Sequence, residues 1–207
     1  MDNRLFFSAT KKNSRFIGDV LLKIINNNGS ILEIGSGSGE HGVVFQKRFP
    51  KIIWQTSDPE VLHRKSISSW IKYEGLKDKM PEPLTIDVEK TPWPIPSSLA
   101  ISLQGIISIN MIHIASWNCT KKLFEESGKL LNNNQFLMLY GPFKIRNKHT
   151  SDSNYLFDRS LKMQNNIWGV RNLEEVTNEA EKYGLYQNNL IPMPANNFSV
   201  IFKKLSI

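Results

Sequence analysis

The chain has 207 residues, 40% of them hydrophobic and 22% charged, which suffices for a buried core and excludes disorder as a general state. Its single cysteine, Cys119, excludes an intramolecular disulfide and a Cys-based zinc cluster. The net charge of +7 permits anionic partners, but 19 Lys against 7 Arg, 20 Asn and no run of four basic residues read first as compositional bias.

The opening MDNRLFFSATKKNSRF has no apolar h-region, so no signal peptide is expected. The longest nearly apolar stretch, Gly105 to Ala115, is too short to span a membrane. A soluble cytoplasmic protein is expected.

In chain order, apolar residues at helical spacing predict a first helix over Ser14 to Ile25. Ser30 to Ile34 reads as a strand ending in glycines, and Glu40 to Phe49 as a helix. Ile52 to Ser57 is a second strand, Val61 to Tyr73 a helix, and Leu84 to Ile86 a third strand ending at Asp87. The prolines of Thr91-Pro92-Trp93-Pro94-Ile95-Pro96 exclude helix interior. Gly105 to Asn110 is a fourth strand, Trp117 to Leu131 a helix, and Phe136 to Tyr140 a fifth strand. Ser151 to Met163 and Asn172 to Tyr183 read as helices. Leu185 to Met193 and Asn197 to Lys203 form a closing antiparallel pair. Alternating strands and helices imply right-handed βαβ units and an α/β fold with a parallel sheet. A single domain over residues 1–207 is expected, with a lid-like insertion at about 144–171.

Ile31-Leu32-Glu33-Ile34-Gly35-Ser36-Gly37-Ser38-Gly39-Glu40 is the most informative segment. An apolar strand, three alternate glycines and a helix start make a nucleotide-binding turn: the glycines admit positive φ and close approach, and the helix N-terminus offers free N–H groups. Gly37-x-Gly39-x-x-Gly42 also fits a dinucleotide fingerprint. Context favours S-adenosylmethionine over NAD. Glu33 precedes Gly35 by two residues, as in the E/D-x-G-x-G-x-G motif of class I methyltransferases. Asp58 ends the second strand, where it can accept from ribose hydroxyls. Asp87 ends the third, where Asp87 or the Val88 N–H can read an adenine edge. The cofactor candidates are Glu33, Gly35, Ser36, Gly37, Gly39, His41, Asp58, Asp87, Val88 and Asn110.

Asn110-Met111-Ile112-His113-Ile114, Tyr140-Gly141-Pro142-Phe143, Trp168-Gly169-Val170-Arg171 and Met193-Pro194-Ala195-Asn196-Asn197 carry a resemblance. With Glu33 to His41, Trp54 to Pro59 and Thr91 to Pro94, these segments resemble the domain-of-unknown-function 938 family, which includes the methyltransferase-like 26 group. The resemblance runs from about Phe7 to Lys203. It implies a Rossmann-like class I S-adenosylmethionine-dependent methyltransferase fold: a seven-stranded mixed sheet of order 3-2-1-4-5-7-6, the last strand antiparallel, with helices on both faces. The chain departs from the family pattern at Lys11-Lys12-Asn13, where members commonly carry an acidic-Arg-Asn run. The resemblance supplies no substrate.

Methyl transfer needs the acceptor and the methyl group held in line, and a base only when the acceptor must lose a proton. In this fold class ligands sit at the carboxyl ends of strands. Asn110, His113 and Tyr140 are therefore the catalytic candidates, His113 as a possible base. Tyr140, His149, Asn154, Arg171, Asn196 and Asn197 are the substrate candidates. Each has a plain structural alternative: a packed histidine, a core aromatic, a cap, a salt bridge or a turn. The four histidines, His41, His63, His113 and His149, lack metal-ligand spacing, so no metal is expected. The leading expectation is methyl transfer to a small polar or anionic molecule. The alternatives are an RNA or protein methyltransferase, a non-catalytic S-adenosylmethionine-binding module, and, least favoured, an NAD-dependent oxidoreductase. Asn110-Met111-Ile112-His113 is unlike the tetrapeptide of nucleic-acid amino-methylases. Nucleic acid is thus a possible partner, but not the favoured one.

Overall fold

The computed structural model describes residues 2–205. By contact density they fall into two compact units, Met1–Ile107 and Ser108–Ile207.

The first unit contains α1 (Ser8–Leu21), β1 (Gly29–Ile34), α2 (Glu40–Arg48), β2 (Ile52–Ser57), α3 (Val61–Tyr73), α4 (Ser97–Ser102) and most of β3 (Leu103–Ile109). β1 lies between β2 and β3 and pairs with β2 in parallel, Gly29 opposite Ile52 through Ile34 opposite Ser57. The two strands are buried along nearly their whole length, which is why they read as continuous apolar runs and not as alternating ones. Ile17 and Leu21 of α1, Ile31, Leu32 and Ile34 of β1, Phe45 of α2, Trp54 of β2 and Ile67 of α3 form the core.

Two expectations change here. The first helix starts six residues earlier than its apolar spacing suggested, at Ser8, and ends at Leu21. The segment Leu84–Ile86 is no strand. It makes one parallel bridge, Leu84 against Ser57, through Leu84 N–H to the Thr56 carbonyl (3.0 Å) and Asp58 N–H to the Leu84 carbonyl (3.1 Å). At the next position that faces β2, the Glu82 carbonyl accepts from the Gln55 side chain at 2.9 Å instead of from a backbone N–H.

The second unit contains a 3₁₀ turn (Met111–His113), α5 (Trp117–Leu130), β4 (Phe136–Gly141), a two-stranded hairpin of β5 (Lys144–Ile145) and β6 (Lys148–His149), α6 (Asp152–Gln164), α7 (Leu173–Glu181), β7 (Leu185–Met193) and β8 (Asn197–Lys204). β8 lies between β4 and β7, antiparallel to both. Asn188 is a bulge in β7. Val200, Ile201 and Phe202 of β8 and Phe136 to Leu139 of β4 are buried, and Phe124 of α5 meets Phe202 edge-on at 5.7 Å. The closing pair is therefore present as expected. Six of the seven expected strands form among the described residues, in the partial orders β2-β1-β3 and β4-β8-β7.

Candidate functional site

β1 ends at Ile34, and the chain then passes through Gly35, Gly37 and Gly39 with φ of 69°, 55° and 87°. These are left-handed values that residues with a Cβ rarely adopt. Space adds a second constraint. A Cβ on Gly39 would stand 2.8 Å from Ile67 Cα, and one on Gly37 would stand 2.8 Å from Phe7 Cε2. Gly39 also caps α2 at its N-terminus.

The loop is tied to the end of β2. Ser36 N–H donates to the Ser57 carbonyl at 2.9 Å, Ser57 N–H donates to Ser36 Oγ at 3.2 Å, and the Ser57 hydroxyl donates to the Glu33 carbonyl at 2.7 Å. Asp58, the next residue, is 4% exposed. Its Oδ2 accepts from Gly37 N–H at 2.9 Å; its Oδ1 accepts from Glu60 N–H at 2.9 Å and lies 3.0 Å from His63 Nδ1.

Glu33 is buried below the loop, and its Oε2 accepts from Trp54 Nε1–H at 2.6 Å. Burial pushes its carboxyl up to about 7; the Asp58 charge adds to the rise and the Trp54 donor opposes it. His41, in the first turn of α2, is buried and 2.8 Å from Asn13 Oδ1 through Nε2, with its pKa lowered by burial to about 4. Asp87 keeps a partly exposed carboxylate that accepts from Glu89 N–H at 3.2 Å and faces Lys90 Nζ at 3.2 Å. Val88 is buried, its carbonyl accepting from Trp93 Nε1–H at 3.3 Å. The structure thus joins Glu33, Ser36, Gly37, Gly39 and Asp58 in one bonded network, with Gly35 the left-handed turn inside it, and Leu84 links the segment leading to Asp87.

In the second unit, Asn110 takes a left-handed conformation (φ 60°), and its N–H donates to the Tyr140 carbonyl at 2.8 Å. His113 is wholly buried and meets Phe143 edge-on at 5.2 Å. Its Nε2 lies 2.5 Å from where a Cβ on Gly141 would stand. Burial, aided by the Arg171 charge, lowers its pKa to about 3, so the ring is neutral and a poor general base. Arg171 donates from Nε to the Ile112 carbonyl (3.0 Å) and from Nη2 to the Ala115 (2.5 Å) and Ile167 (3.0 Å) carbonyls. These three bonds engage Nε and Nη2 of the guanidinium with main-chain carbonyls. Asn110, His113, Tyr140 and Arg171 therefore gather around one turn, while the remaining candidates form a second group. Asn154 Nδ2 donates to Thr150 Oγ1 and to the Asn196 carbonyl, both at 2.9 Å. His149 Nε2 lies 3.1 Å from Asp158 Oδ2. Asn197 Nδ2 donates back to the Pro194 carbonyl at 3.1 Å. Asp158 also accepts from Val170 N–H (2.8 Å) and Lys162 Nζ (2.8 Å), with Lys144 Nζ at 3.4 Å.

Sequence reasoning missed Phe7, Glu40, Ser38 and His63 around the loop. Ser38 and Glu40 sit inside the motif and His63 follows Asp58 by five residues, so those three had a spacing signal. Phe7 had none.

The donor set fits S-adenosylmethionine: a positive-φ glycine cradle, a helix N-terminus behind it, and a carboxylate with acceptor capacity left at Oδ2. Solved methyltransferase structures share the fold. Mitomycin 7-O-methyltransferase MmcR superposes with a TM-score of 0.78 at 16% identity, over 95% of this chain and 54% of its own. An O-methyltransferase family protein from Burkholderia thailandensis gives 0.76 at 12% identity, over 96% and 58%. Human N-acetylserotonin methyltransferase, in complex with SAM, gives 0.70 at 12% identity, over 91% and 52%. The chain spans a little over half the length of each. The fold is the α/β, Rossmann-like fold of class I methyltransferases. Residues 4–204 match the family described as a protein of unknown function (DUF938), and the chain belongs to that family.

Proposed function

We propose that the chain is an S-adenosylmethionine-dependent methyltransferase acting on a small polar or anionic molecule. The observation that carries this reading is the bond between the Asp58 carboxylate and Gly37 N–H, which fixes a ribose-type acceptor beside a positive-φ glycine loop. The likeness to methyltransferase folds supports it, as do the small molecules in the names of similar proteins: mitomycin, N-acetylserotonin, and apigenin in complex with an O-methyltransferase family 2 protein from Planctomyces limnophilus.

The cofactor supplies an electrophilic methyl group on a sulfonium. In this reading Asp58 accepts from the ribose hydroxyls, Gly35, Ser36, Gly37 and Gly39 let the chain pass close to the methionine portion, and Asp87 with Val88 N–H contacts the adenine. Glu33 braces the loop from below. Asn110 and Tyr140 position the acceptor, with His149, Asn154, Arg171, Asn196 and Asn197 as further acceptor-side residues. His113 acts by packing: a ring of such low basicity does not take the acceptor's proton, so an acceptor must arrive already deprotonated or lose its proton to solvent. An acceptor that is already nucleophilic suits this arrangement.

The test is transfer of a labelled methyl group from S-adenosylmethionine to three pools: small phenols, thiols and carboxylic acids; total RNA; and unfolded protein. Label in the small molecules supports the reading, and label in RNA or protein alone replaces it with the macromolecular one. Tight cofactor binding without transfer to any pool favours a non-catalytic binding module.

A further inference from the structure

Residues 2–7 precede α1 without forming a helix or a strand, yet they are fastened onto the first unit at several points. The Leu5 N–H donates to Ser66 Oγ at 2.8 Å, and the Leu5 carbonyl accepts from Trp70 Nε1–H at 3.0 Å. The Phe7 N–H donates to Glu40 Oε2 at 2.7 Å. The Arg4 guanidinium lies over the Tyr73 ring at 3.5 Å and over Trp70 at 4.8 Å, while Phe6 meets Trp70 edge-on at 5.1 Å.

Two of these fastenings continue into the glycine loop and meet at Ser38. The Ser66 hydroxyl that receives Leu5 N–H donates onward to the Ser38 carbonyl at 2.6 Å. The Glu40 oxygen that receives Phe7 N–H also accepts from the Ser38 hydroxyl at 3.0 Å. Ser38 stands between Gly37 and Gly39, so the seating of residues 4–7 and the shape of the loop are bonded together. Phe7 completes the arrangement. One edge of its ring abuts Gly37, another meets His63 at 5.9 Å, and His63 in turn contacts Asp58.

Phe7 nevertheless remains 44% exposed, and Phe6 59%. A segment held by a few hydrogen bonds and half-exposed aromatics opens at lower free energy than the core beneath it.

We propose that residues 4–7 are a strap that closes on bound cofactor, with Phe7 the residue that retains S-adenosylmethionine against Gly37 and the Ser38 relay coupling closure to loop shape. The proposal rests on the cofactor reading of the loop. A ligand that favours the loop in this geometry must favour the closed strap by the same factor, and the strap must favour the ligand.

Arg4 provides a direct readout, because trypsin cuts after arginine and the Arg4–Leu5 bond lies within the strap. Cleavage at that bond is followed in the full chain with and without saturating S-adenosylhomocysteine, alongside calorimetry. The expected result is protection by about five- to a hundredfold, the usual span of such couplings. Phe7→Ala, shown to be folded by circular dichroism, should lose most of the protection and release S-adenosylhomocysteine correspondingly faster in stopped flow. Calorimetric binding with unchanged or faster cleavage at Arg4–Leu5 overturns the strap and leaves the cofactor site standing. Absence of binding to the unaltered chain overturns both. The wild-type comparison needs no variant, so it holds even if Phe7→Ala misfolds.

Discussion

Asp58 Oδ2 lies 2.9 Å from the backbone nitrogen of Gly37, so the acid that follows β2 holds the middle of the loop that follows β1. The same carboxylate accepts from Glu60 N–H at the entrance to α3. One side chain therefore sets the loop, the strand end and the next helix relative to each other, before any ligand arrives.

Gly39→Ala should be among the most damaging small substitutions in the first unit. It places a Cβ at φ 87° and 2.8 Å from the Ile67 backbone. Left-handed strain and overpacking together should cost about 2–4 kcal/mol. Gly75→Ala, also at positive φ (66°) but with nothing within 4 Å, is the control and should cost only the conformational part, about 1 kcal/mol. Urea unfolding of the two variants checks the ordering.

Glu33 makes stability depend on pH in an unusual direction for a carboxylate. Its pKa rises from 4.5 to about 7 on folding, so its contribution is full below 4.5 and is lost as pH rises through about 7. His41 and His113 act oppositely: their pKa values fall from 6.5 to about 4 and about 3, so their contribution is full above 6.5 and is lost as pH falls. Glu33→Gln should therefore gain stability relative to the unaltered chain as pH rises across the 4.5 to 7 window. His113→Leu should flatten the loss on the acid side. Denaturant titrations across that range check both, and a Glu33→Gln difference independent of pH would remove the carboxylate from the account.

Much of the first unit was legible because its signals are local. The β1–loop–α2 segment shows as an apolar run, alternate glycines and a helix start, and β2 and α3 end where their patterns end. Leu84–Ile86 satisfies a strand pattern with its three apolar-polar-apolar residues, but only Leu84 pairs with β2, and the Glu82 carbonyl before it is taken by the Gln55 side chain. The apolar spacing sets the start of the first helix late because its opening turns, Ser8 to Asn13, are mostly polar. Among the site residues, Gly37 and Asp58 were readable by motif spacing. What His113 and Arg171 do was not, since full burial of an imidazole and the use of a guanidinium on three carbonyls depend on packing between distant segments. Phe7 left no mark at all, because its position over the loop is fixed by Glu40 and Ser66, far along the chain.

Asp158 should matter to the second unit as Asp58 does to the first. Burial works to raise its pKa, but Lys162, Val170 N–H, Lys144 and His149 outweigh it and hold the carboxyl down to about 2. Its contribution is therefore present above 3.8 and lost as pH falls toward 2. Asp158→Asn keeps the shape but gives up charge-assisted bonds, and should cost about 1.5–3 kcal/mol at neutral pH. Thermal unfolding at neutral and acid pH tests this, the difference shrinking as the native carboxylate is protonated.

The most direct test of the cofactor reading is calorimetric titration of S-adenosylhomocysteine into the unaltered chain and into Asp58→Ala, with NAD as the competitor. The account predicts binding to the unaltered chain and a loss of about 1.5–3 kcal/mol in the variant, roughly ten- to a hundredfold in affinity. NAD should give no heat. Equal affinity in the two proteins, or binding of NAD in place of S-adenosylhomocysteine, would contradict the assignment of the loop and its carboxylate.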